Sequence, residues 1–66
     1  MDEQDVWRAA RVIVRRHGMY AEFTASRRVE EMTVAGDRSG EAHWKRILRA
    51  VRDLQRLKPR EDEAVN

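Results

Sequence analysis

Apolar residues recur along this chain at the three- and four-residue steps of a helix face, and nowhere in the alternation of a strand. In the first segment Val6, Ala10, Ile13 and His17 share one side, with Trp7 and Val14 beside them. Asp2, Glu3 and Asp5 stand where a helix dipole favours negative charge, and Arg15, Arg16 and His17 where it favours positive. Gly18 follows and can take the left-handed conformation that ends a helix. These signals predict a helix over residues 3–17. A second helix is predicted over 20–35, with Ala21, Ala25, Val29 and Met32 on one face and Gly36 as its stop. In "GDRSGEAHW", Asp37 or Ser39 can cap a third helix over 39–57. Its inner side carries Trp44, Ile47, Leu48, Val51 and Leu54, and Pro59 lies just beyond its end. The pattern predicts an all-α fold, a compact three-helix bundle forming a single domain over residues 1–58. Residues 59–66 lack periodicity and are expected to be a disordered acidic tail.

Three apolar residues do not fit the stripes. Phe23 and Val34 fall about 20° apart on the helical wheel, roughly 180° from the Ala21, Ala25 and Met32 side. Arg27 and Glu30 lie between them. Val12 is likewise displaced, sharing the outer side of the first helix with Arg8 and Arg15. Single exposed apolar residues are ordinary. Two on one outer face, in a chain short of core, point to a partner, unless the second helix is wedged between the others and buried on both sides.

Composition sharpens that point. Only thirteen of the 66 residues are Leu, Ile, Val or Phe, near the roughly 20% below which order becomes doubtful. A chain this short buries only about 60% of its unfolded surface. A marginal domain of this kind gains from a partner or a second copy. There is no cysteine, hence neither a disulfide nor a thiolate metal site. The start, MDEQDVWRAA, lacks the basic and apolar regions of a secretory signal. No apolar run approaches the length of a membrane span. The expected location is the cytoplasm, with no membrane partner.

The net charge of +2 conceals an uneven distribution. Between Val6 and Lys58 there are thirteen Lys and Arg against six acids, 13 − 6 = +7, while both ends are acidic. Lys45, Arg49, Arg52 and Arg56 line the back of the third helix, and Arg8, Arg11 and Arg15 that of the first. Two such stripes could follow a phosphate backbone and release its counterions. An amphipathic helix must also put something polar outside, and Arg is a good helix former. Glu41 with Lys45 and Arg49 with Asp53 are spaced to offset part of the third-helix stripe.

Catalytic chemistry has little material. His17 and His43 have no ligand spacing around them. "AGDRSG" matches neither the P-loop nor the dinucleotide fingerprint, and a turn with a helix cap accounts for it. The chain is therefore expected to be non-enzymatic, with no cofactor, metal or small-molecule substrate.

Several short motifs resemble a family of small uncharacterised helical proteins of Alphaproteobacteria. They are Val6–Trp7, Arg16–His17–Gly18, Ala35–Gly36–Asp37 with Gly40, Trp44 with Arg46 and Ile47, and "LQR" followed by Pro59. The resemblance covers nearly the whole chain and implies a compact helical protein of the bacterial cytoplasm, without an activity. The Arg load of the first and third helices departs from that pattern and belongs to this chain.

The function expected from the sequence is a helical protein-interaction module that self-associates, as a dimer, or docks on a protein partner through Phe23, Arg27, Glu30 and Val34. The alternative is nucleic-acid binding through Arg8, Arg11, Arg15, Lys45, Arg49, Arg52 and Arg56.

Overall fold

The structure is a computed structural model that describes residues 2–57. The acidic tail expected at 59–66 lies outside them. The described residues are all helical, without strands: α1 spans Glu3–His17, α2 Ala21–Ala35 and α3 Arg38–Leu57. One 3-10 turn, Gly18–Tyr20, joins α1 directly to α2. Residues 3–35 are therefore one bent helical arm in two pieces, and α3 folds back along it.

Glycine makes both breaks. Gly18 has φ 54° and ψ −123°, and Gly36 has φ 74° and ψ 18°; among the described residues no other residue type has positive φ. Side chains pay for such conformations at their Cβ, so the two glycines are where the chain can turn. At Gly36 the reversal is fully bonded. Its amide donates to the Thr33 carbonyl at 3.1 Å, and the Asp37 amide donates to Met32 at 2.9 Å. This is a Schellman arrangement, which satisfies carbonyls left open at the end of α2. Asp37 then opens α3: its Oδ1 accepts from the Gly40 amide at 2.8 Å. Of the two residues expected as caps, Asp37 performs the role. Ser39 lies inside the helix, which begins at Arg38. Gly40 has its own packing reason, since a Cβ there would lie 2.6 Å from Asp37 Oδ2 and 2.7 Å from Met32 Sδ.

The second helix was expected to begin at residue 20 but starts at Ala21. Leaving α1 through Gly18, the chain needs one tighter turn before regular helix resumes. The carbonyl of Gly18 accepts a 2.8 Å bond from Gln55 Nε2, which ties this junction to the far end of α3.

The buried core consists of Val6 and Ala10 from α1, Ala21 and Ala25 from α2, and Ile47, Ala50 and Val51 from α3. Trp7, Ile13, Val14, Trp44, Leu48 and Leu54 pack around it half-buried. Four of these seven buried residues are alanines, and the largest fully buried side chains are Ile47 and Val51. Alanine lets helices approach closely but removes little apolar area from water. His17, expected in line with this core, is exposed at the last position of α1.

Candidate interaction face on the second helix

The inner side of α2 is small and buried; its outer side is large and exposed. Ala21 and Ala25 are inaccessible to solvent, whereas Phe23 is 62% and Val34 85% exposed. Arg27 and Glu30, also exposed, lie between these two. Arg27, Glu30, Glu31, Val34 and Ala35 line one shallow groove. A neighbouring groove is lined by His17, Phe23, Thr24, Arg27, Arg28 and Glu31. Arg27 and Glu31 belong to both grooves, so all four residues singled out on this helix lie on one continuous face.

Met19 is 82% and Tyr20 64% exposed, and both immediately precede α2. Their only signal in the sequence was position, one turn ahead of Phe23. The helix boundary hid it, because whether they join the inner or outer side depends on how Gly18 turns the chain. Val12 on α1 is also exposed, at 42%.

The edges of α2 are tied to α3 by polar contacts. Arg52 Nε donates to Glu22 Oε2 at 3.1 Å. The Arg28 guanidinium lies 5.9 Å from the centre of the Trp44 ring and 3.1 Å from Glu31, within the range of cation–π attraction. At the turn, the Thr33 hydroxyl lies 2.7 Å from Glu41 Oε2 and 3.0 Å from the Val29 carbonyl. It has one proton, and the carboxylate is both nearer and charged. The Thr33 hydroxyl, with Lys45 Nζ 3.4 Å away, holds the Glu41 carboxyl below its ordinary pKa. These contacts fix the flanks of α2 and leave its outer face open.

The basic residues are distributed differently. Arg8, Arg11 and Arg15 are exposed on α1, and Lys45, Arg49, Arg52 and Arg56 on α3. Both stripes stand opposite residues of one shared core, Val6 and Ala10 in the first case and Ile47 and Val51 in the second. No ion pair among the described residues links the two stripes to each other. Arg52 is drawn to Glu22, Lys45 to Glu41, and Arg8 lies 3.8 Å from Asp5. The expected Arg49–Asp53 pair does not form among the described residues. Both residues instead line a groove with Glu3, Trp7 and Arg46, where α1 crosses α3.

No group of three or more His, Cys, Asp or Glu among the described residues is placed to hold a metal ion. His43 is half-buried and stands edge-on to Trp44, with ring centres 6.2 Å apart. No helix among the described residues is long and apolar enough to cross a membrane. Comparison with protein-family models, with curated proteins and with solved structures returns no match. What this chain does must therefore be argued from its own surface.

Proposed function

We propose that this chain is a non-enzymatic helical interaction module that docks a protein partner on the outer face of α2, through Phe23, Arg27, Glu30 and Val34. One observation carries the reading: the helix with two of the large exposed apolar side chains fully buries only alanines, with Val29 and Met32 half-buried. Phe23 and Val34 leave two large apolar side chains uncovered on one outer face, flanking Arg27 and Glu30, and exposed apolar surface rimmed by polar groups on a small domain marks an interaction site. In this reading the helices act as a compact three-helix bundle in the cytoplasm, in keeping with the Alphaproteobacterial family it resembles. The module needs no cofactor or small-molecule substrate.

The test is photo-crosslinking of the full chain, with the probe at position 23 or 34 and a control probe at position 11. Products are expected from the α2 positions alone. With the probe moved to position 31, which borders both grooves, the variant Phe23→Ser/Val34→Ser should keep its helical circular dichroism and lose the products that the wild-type chain gives there. If this variant unfolds, both residues are structural and the reading falls.

The second reading, nucleic-acid binding, rests on Arg11, Arg15, Arg49 and Arg56, which have no acidic partner among the described residues. It predicts that binding of labelled duplex DNA or single-stranded RNA weakens by about a thousandfold between 50 and 200 mM salt, as six or more phosphate contacts require. It is the weaker of the two, because Arg8, Lys45 and Arg52 of the seven basic residues already stand beside acids.

A further inference from the structure

We infer that the occupant of the α2 face is a second copy of this chain, its α2 lying antiparallel across a two-fold axis between Arg27 and Glu30. The inference rests on the docking reading above and adds the partner and the register.

The order of residues along the exposed face selects this partner. Phe23, Arg27, Glu30 and Val34 follow at steps of four, three and four. That is the spacing of a coiled-coil seam. The chemistry along it runs apolar, basic, acidic, apolar. A two-fold axis at the midpoint relates residues whose numbers add to the same total, and 23 + 34 = 27 + 30 = 57. Antiparallel pairing therefore sets Phe23 against the partner's Val34 and Arg27 against the partner's Glu30, and each contact occurs twice. A two-fold interface requires this self-complementarity, because one patch must serve both sides. Parallel pairing would instead set Arg27 on Arg27 and Glu30 on Glu30. The central charges thus select orientation as well as register.

The geometry leaves room for such a contact. All four residues are exposed, and the polar ties of α2 to α3 lie along its flanks. Phe23 and Val34 are about 16 Å apart along the helix axis, so the apolar contacts bracket the two charge pairs. A seam of this length lies at the small end of specific interfaces, and reversible dimerisation in the micromolar range is the expected strength.

Charge reversal tests this on the full chain by sedimentation equilibrium. Arg27→Glu makes the centre of the seam wholly acidic, and Glu30→Arg makes it wholly basic. Each should weaken self-association by about tenfold or more. An equimolar mixture of the two variants should restore a species of twice the chain mass, since each then supplies what the other lacks. Register is read with cysteine, which the chain does not contain. Phe23→Cys mixed with Val34→Cys should oxidise to a crossed dimer, while neither variant should do so alone.

Wild-type chain that stays monomeric to about 1 mM overturns the inference, as does a dimer indifferent to both reversals. The docking reading fails separately. Crosslinks from position 23 to a product of another mass would retain it and discard the second copy. Crosslinks found only at the α1 control position would discard both.

Discussion

The two sides of α2 reverse the usual arrangement of an amphipathic helix. Its inner side touches the core through Ala21 and Ala25, and its outer side presents Phe23 and Val34. α3 is conventional, with Ile47 and Val51 inside and Lys45, Arg49, Arg52 and Arg56 outside. The difference separates two uses of apolar surface. Small residues inside α2 permit close approach to α3, while the large residues outside contribute little to the monomer and remain available to another molecule.

Substitution can break that comparison, and the largest effect should come from the core opposite the inner side of α2. Ile47→Ala removes one of the two largest fully buried side chains and should cost about 2–5 kcal/mol. In a domain this small that would lower the melting temperature by about 4–8 °C per kcal/mol. A shallow loss would mean that the alanine-rich interior is too loosely packed to feel a cavity. Next is Ala25→Leu, which forces three extra carbons into a site closed to solvent and should cost about 1–3 kcal/mol. If it stabilises the chain, the inner side of α2 is not closely apposed to its neighbours. On the outer side, Phe23→Ser/Val34→Ser measured on dilute monomer should shift stability by no more than about 0.5 kcal/mol. Equal costs for the inner and outer changes would abolish the distinction between the faces.

The smallest effect concerns the flank at Glu41. Its carboxyl is held below the ordinary value, first by the Thr33 hydroxyl and then by Lys45. Such a group binds its proton more weakly in the folded chain than in the unfolded one. Its stabilisation is thus complete above the unfolded pKa and is lost as pH falls through the folded value. Thr33→Val should move the Glu41 titration upward and flatten part of the acid limb of stability. An unchanged titration, followed by carboxyl NMR, would mean that the hydroxyl bonds only to the Val29 carbonyl.

Much of the architecture is legible in the sequence, for identifiable reasons. Gly18 and Gly36 mark both breaks because, among the described residues, only there does the backbone take positive φ. Val6 with Ala10, and Ile47 with Val51, declare the inner sides of α1 and α3 by their spacing. Ala50 escaped that reading although it is buried, because one methyl group adds little to an apolar stripe. Gly40 falls inside the predicted third helix with no role of its own in the pattern; its packing depends on Asp37 and Met32 arriving from either side of the turn. The Arg52–Glu22 contact spans thirty residues, and no local pattern encodes it. On the candidate face, the exposure of Phe23 and Val34 follows from their place on the wheel. That of Met19 and Tyr20 does not, since they lie where the helical phase resets.

The turn at Gly36 and Asp37 has a kinetic consequence. It closes the shortest loop between long elements in the molecule, and its bonds are all made by residues within a few positions of one another. Short loops cost the least entropy to close, and local contacts form fastest. The α2–α3 hairpin is thus the unit able to assemble first, with α1 docking onto it afterwards as Gln55 captures the Gly18 carbonyl. Amide protons of α1 should therefore exchange with solvent before those of the hairpin, so that α1 opens while the outer face of α2 is still displayed on an intact helix.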